Sequence, residues 1–172
     1  MKKFGIVLVA LLAVLVIGQP VVTQENGAEI VRISGTLDYV PEILSSMDLN
    51  GYSYLDVASE GVWSGDFEGT EKSSYRVVIE PSGVWDAGAV LTKFEGTLLG
   101  DKEGTLVMVA HWKRNSPTAG WFGESWILSG TGDLANIHGK ILWWGPGFNP
   151  EDPEASPDNF YSAELIVPIE DS

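Results

Sequence analysis

Phe94-Glu95-Gly96-Thr97-Leu98-Leu99-Gly100-Asp101-Lys102-Glu103-Gly104-Thr105-Leu106-Val107-Met108-Val109-Ala110-His111-Trp112 reads as a strand, a tight polar turn containing glycine, and the strand that returns from it. In the returning half Leu106, Met108, Ala110 and Trp112 fall on one face, the period of two expected of a strand with one buried side. The same rhythm runs through residues 87–144, where 121–129 and 137–144 follow as further strand-length apolar runs. One continuous antiparallel meander is the simplest reading.

Outward from that stretch, residues 29–39 alternate, with Val31, Ile33, Gly35, Leu37 and Tyr39 on one side. Residues 61–71, 74–80 and 160–168 are further strand candidates, rich in β-formers and bounded by turn residues. Pro41 and Glu42 predict a short helical turn over 41–47, since Pro is tolerated at a first helical position and Glu suits the positive end of the dipole. Residues 49–59 are mixed. About eight strands and almost no helix predict an all-β chain, most simply a small antiparallel barrel of about eight strands. Glycines within strands, at Gly35, Gly69, Gly96, Gly123 and Gly139, favour closure, which requires strands to coil and bulge. Phe-Glu-Gly-Thr occurs at 67–70 and again at 94–97, a weak repeat or a coincidence in a glycine-rich chain.

The 172 residues, 44% of them hydrophobic, suit a single domain with an ordinary core. Lys2 and Lys3 followed by the apolar run 4–17 have the order of a secretory signal, too short for a confident membrane span. Residues 1–23 are therefore expected to be a signal peptide or a short N-terminal anchor, and 24–172 one extracytoplasmic domain. A membrane contact is expected only through an uncleaved leader. Without cysteine there is no disulfide and no thiolate metal site. A net charge of −14 sets the chain against nucleic acid. Residues 145–159 are proline-rich and acidic, and read as an exposed loop.

Phe94-x-Gly96-Thr97-Leu98, then Gly104-Thr105, Trp126, and Ser129-Gly130-Thr131-Gly132-Asp133-Leu134-x-x-Ile137-x-Gly139 together resemble a bacterial family of small proteins of unassigned function, over about residues 61–167. That family is placed among the allene oxide cyclase-like β-barrels, a shape shared with plant allene oxide cyclases and dirigent proteins. The resemblance implies this fold and a tendency to associate. It implies no reaction, because no motif of the plant cyclases is matched.

Several side chains are candidates for chemistry. His111 and His138 would make an acid and base pair if they faced one cavity, although His111 shares its face with Lys113, opposite the apolar set. Glu124 lies mid-strand on the same side as Phe122, Trp126 and Leu128, where a carboxylate among aromatics would have a raised pKa; on a solvated face it would pair with Arg76 or Lys93 instead. Phe94, Met108, Trp112, Phe122 and Trp126 would line an apolar interior, as a pocket or as a packed core. Trp143 and Trp144 must point to opposite faces. No metal site and no cofactor are expected. The leading expectation is an exported, non-enzymatic barrel that binds a small apolar ligand or plays a structural role. The alternative is an isomerase or cyclase acting inside the barrel, with Glu124 or a histidine moving the proton. A homo-oligomer through exposed aromatics such as Trp121 is a further expectation.

Overall fold

Nine strands make up the computed structural model, which describes residues 22–25, 28–116, 119–145 and 159–169. They are β1 (Val22–Glu25), β2 (Ala28–Leu49), β3 (Tyr52–Gly65), β4 (Phe67–Ile79), β5 (Trp85–Leu98), β6 (Lys102–Arg114), β7 (Trp121–Gly132), β8 (His138–Gly145) and β9 (Asn159–Pro168). Each of β2 to β8 pairs antiparallel with the next, and β9 pairs back onto β2 from Ala28↔Pro168 to Leu37↔Asn159. Eight strands thus form a closed ring, as the meander predicted. β1 lies outside it, paired to the start of β2. The leader reading and the acidic loop fall almost wholly outside the described residues.

β2 holds the ring together by changing partners along its length. Its first part pairs with β9, its second part with β3, and only Gly35, Thr36 and Leu37 are flanked by both. Beyond Leu37 the β2–β3 hairpin rises past the start of β9 as an arm, and no described strand covers its outer edge. The helical turn expected at 41–47 is strand instead. Asn50 and Gly51, with φ of 53° and 80°, form the two-residue turn whose twist matches a hairpin. The cross-strand pairing this turn starts outweighs the local helix signals, and Pro41 is tolerated because the strand has an open edge. Leu44 has no partner and forms a bulge.

One end of the interior is packed solid. Trp63, Phe67, Phe94 and Tyr161 pack ring against ring, with centroids 4.7 Å apart for Trp63 and Tyr161 and 5.1 Å for Phe67 and Phe94. The Tyr161 hydroxyl accepts the Phe67 N–H at 2.8 Å. Burial pushes the Tyr161 phenol up to about 12. Leu98, Leu106, Leu134 and Leu165 seal the base, each fully buried.

The two Phe-Glu-Gly-Thr segments face each other on β4 and β5, with Gly69 opposite Gly96. Gly96 in turn faces Gly104, and Gly104 faces Gly132, so a row of glycines crosses four strands. A Cβ on Gly96 would lie 2.1 Å from the Glu68 carbonyl oxygen and 2.7 Å from Gly69 Cα. Backbone atoms fill the space a side chain would need. Gly96→Ala should therefore lower stability by about 3 kcal/mol or more, while Gly88→Ala, whose Cβ would meet nothing closer than 3.8 Å, should stay within about 0.5 kcal/mol. Urea unfolding followed by tryptophan fluorescence measures both, and equal losses would refute the close-approach argument.

Candidate functional site

The other half of the interior is built from shorter side chains. Inward positions here include Ser59, Gly61, Ser73, Ala110, Gly123 and Ser125, where the packed end has Trp, Phe and Leu. A pocket results, walled by Leu37, Tyr39, Trp63, Met108, Trp112 and Trp143 and by the polar residues Ser59, Glu71, Ser73, Thr92 and Ser125. Its free volume is about 40 Å³, room for about three water molecules and far below the several hundred Å³ of pockets that enclose drug-sized ligands. Gly123 shapes one wall, since a Cβ there would lie 2.7 Å from the Trp143 ring and 2.8 Å from Trp112 Cβ.

Glu71 is the chemical centre of this pocket. It follows Phe67 by four residues on β4, so the alternation that turns Phe67 inward also turns Glu71 inward. Only 7% of it is exposed. The Trp63 indole Nε1–H donates to Glu71 Oε2 at 2.9 Å, and the Ser73 hydroxyl reaches Oε1 at the long distance of 3.5 Å. Burial pushes the Glu71 carboxyl above its ordinary value, against the opposing pull of those two donors. No cation pairs with it among the described residues. Around it, Ser73 Oγ and Thr92 Oγ1 are 2.7 Å apart, and Trp143 Nε1–H donates to Ser125 Oγ at 2.9 Å. The Tyr39 and Tyr75 phenols are both pushed up by burial. The arrangement can hold a proton, and it can offer hydrogen bonds in an otherwise aromatic chamber.

The residues expected from sequence divide between the two faces. Met108 and Trp112 line the pocket. Phe94 is buried, but in the packed end. Phe122 and Trp126 point outward, 55% and 39% exposed, which corrects their expected place inside. Glu124 shares that outer face and pairs with Lys140 at 3.0 Å, neither with Arg76 nor with Lys93. The grouping of Phe122, Glu124 and Trp126 on one side was legible, but the side was not. On β7 the inner row is Trp121, Gly123, Ser125 and Ile127, whose small members give Trp143 and Trp112 room.

His111 and His138 do not face a common cavity. His111 lies on the outer side with Nε2 3.3 Å from Asp86 Oδ2, and His138 is exposed at the start of β8. Trp143 and Trp144 do point to opposite faces, Trp143 into the pocket and Trp144 stacked on Phe160 outside. Trp121, expected at an oligomer surface, is 8% exposed and packs on Trp143 with ring centroids 4.3 Å apart. Glu71 is not among the candidates drawn from the sequence, although residues 61–71 read as one strand already place it on the face of Trp63 and Phe67, and that alternation is the signal that points to it. The chain turns at Gly65 and Asp66 within that span, where Asp66 Oδ2 accepts the Ser34 N–H at 2.7 Å, and the two strands on either side keep the same phase. No group of three metal-ligating side chains occurs among the described residues.

Fold and pocket together define a small all-β domain with a closed ring of eight strands and one polar chamber inside. No family model matches the chain, and no curated protein matches it. Among solved structures it is similar to a protein of unknown function from the DUF3224 family of Shewanella oneidensis MR-1. That similarity has a TM-score of 0.60 at 16% identity, over 80% of this chain and 97% of the other. It is a likeness of fold, to a domain of unknown function.

The buried carboxyl makes stability depend on pH in a definite direction. A Glu whose folded pKa lies above its unfolded value of 4.5 contributes fully below that value, and the contribution is lost as pH rises through the folded pKa. Glu71→Gln keeps an acceptor for Trp63 and removes the titration. Its unfolding free energy should match wild type in acid and exceed it increasingly above about pH 4.5, levelling off once Glu71 is ionised in the folded state. Urea titrations across pH measure the difference, and a constant offset would show that Glu71 does not titrate this way.

Proposed function

We propose that this protein is an exported binding domain that holds one small molecule in the pocket around Glu71 without transforming it. The observation that carries this reading is the split interior. Half is filled by aromatic rings, while in the other half polar side chains from β3, β4, β5 and β7 converge among Trp63, Trp112 and Trp143. The hydrogen bonds of these polar side chains are met within the chamber, yet apolar side chains would pack the same space at least as stably, so a chamber that keeps them has a reason other than stability. The ligand is accordingly small and part polar, a narrower class than the apolar molecule expected from sequence. Lys2, Lys3 and the apolar run after them support export. The glycine and turn motifs quoted above, together with the closed ring, support an allene oxide cyclase-like shape.

One observation favours a second reading. A carboxyl held above its ordinary pKa within an aromatic chamber can act as a general acid, as isomerisation of a small unsaturated substrate would require. Glu71 takes the part that Glu124 and the histidines cannot fill from the outer face. Retention of an unaltered ligand supports binding, and release of an isomer that disappears in Glu71→Gln supports catalysis.

Native mass spectrometry tests the proposal on protein expressed as the full chain and purified without detergent. The expected spectrum shows a chain beginning near Gln24 with a reproducible small added mass. Ala110→Leu, which fills the pocket from a fully buried position, should keep the fold at a cost of about 1–3 kcal/mol and lose that mass. A bare chain in both proteins would overturn the binding reading, and an intact leader would overturn cleavage.

A further inference from the structure

Beside the pocket, the fold leaves two buried donors without acceptors. Arg114 continues the inward series Met108, Ala110 and Trp112 on β6, two residues beyond the tryptophan that lines the pocket. It pairs across strands with Trp85 on β5, and its guanidinium carbon lies 5.3 Å from the centre of the Trp85 ring. Arg114 Nε donates to the Ser116 carbonyl at 2.9 Å. Arg114 Nη2 and Trp85 Nε1 are buried and donate to no acceptor among the described residues. Leaving a buried donor unmet is costly, and more so for a charged group. Two such atoms on directly paired residues present one unmet demand for an acceptor.

The distribution of charge gives that acceptor a sign. The chain has 24 acidic and 10 basic residues; among the described ones Arg32, Lys72, Arg76, Lys93 and Lys140 have carboxylate partners, while Lys102 and Lys113 stand unpaired but are not buried. Arg114 has no carboxylate partner among the described residues. A planar guanidinium with an unmet N–H, on a residue paired across strands with a tryptophan whose indole N–H is also unmet, calls for an acceptor with two oxygens, as a carboxylate has. Along β6 from it, Trp112 and then, deeper in the pocket, Trp143 and Met108 offer an apolar lining. The free volume of about 40 Å³ suits a short chain.

We infer that the ligand of the interior pocket is a small organic carboxylate, its oxygens bound by Arg114 Nη2 and Trp85 Nε1 and its short apolar chain extending past Trp112 into the pocket. This assignment rests on the binding reading above and names its ligand class. The overall negative charge opposes an anion only at a distance. At physiological salt that field is screened within about 8 Å, whereas Arg114 acts in contact.

The test follows the indole N–H resonances of the protein, expressed as the full chain, during titration with straight-chain carboxylates from acetate to hexanoate. The matching primary alcohols, which lack the charge, provide the comparison. The Trp85 resonance should shift saturably with the acids. Affinity should rise about fourfold per methylene and level off once the chain fills the pocket, with the alcohols at least tenfold weaker. Arg114→Gln should erase the advantage of acid over alcohol, and Trp85→Phe should weaken the acids at least threefold while sparing the alcohols. If Arg114→Gln does not fold, Trp85→Phe decides. Equal binding of acids and alcohols, with shifts at Trp112 and Trp143, would overturn the carboxylate assignment and leave the binding pocket standing. No response to either series up to millimolar concentration would overturn both.

Discussion

Main-chain contact at the glycine row is the constraint from which the rest of the structure follows. Where Gly69, Gly96, Gly104 and Gly132 meet across four strands, the backbones approach more closely than any Cβ would allow. Such contact permits the sharp coiling that a small closed sheet demands. It also sets the phase of each strand, because glycine positions and side-chain positions share one alternation. Phe67 and Phe94, two residues before their glycines, therefore both turn inward and meet at 5.1 Å. The two Phe-Glu-Gly-Thr segments are one structural device seen from two strands.

With phase set at the packed end, the composition of the opposite end follows residue by residue. Four positions after Phe67 comes Glu71, and six after it Ser73; two before Phe94 comes Thr92. Each is forced inward by the same alternation, and each is polar. The pocket is therefore no accident of loose packing. Its free volume comes from serine, alanine and glycine at inward positions, and its polarity from Ser59, Glu71, Ser73, Thr92 and Ser125 on the same inward rows.

Much of the fold was legible, and the limits of legibility are physical. The alternation in β2, the turn after Leu98 and the divided pair Trp143 and Trp144 follow from period two alone. The hairpin at Asn50 and Gly51 was also written in the chain, but Pro41 and Glu42 offered a competing local signal that cross-strand pairing overrode. The face of β7 was a harder problem. Phe122, Trp126 and Leu128 form the more hydrophobic row, so burial by hydrophobicity selects it, yet inside this narrow ring large side chains on adjacent strands exclude one another. Trp143 occupies the space that Gly123 leaves, and no local pattern on β7 reveals it. Met108 and Trp112 follow from the apolar alternation of β6, whereas Glu71 and Arg114 lie on the inward rows of β4 and β6 as charged side chains, which apolar patterning does not select.

The interior treats its charges differently from most of the exterior. Five basic side chains on the outer surface have carboxylate partners within 4 Å, and those exposed pairs contribute little to stability. Inside, where pairing matters far more, an acid and a base are kept apart. Glu71 takes its hydrogen bonds from Trp63 and Ser73, Arg114 stacks on Trp85, and no ion pair joins the two. The Tyr39 hydroxyl lies within the electrostatic reach of both, its proton favoured by Glu71 and disfavoured by Arg114. Satisfying these groups against each other, or replacing them with leucine, would make a more stable ring. A chain that can place Leu98, Leu106, Leu134 and Leu165 with full burial at one end has the means to do so at the other. Local stability has been given up there, and natural sequences concentrate such concessions where they bind or react.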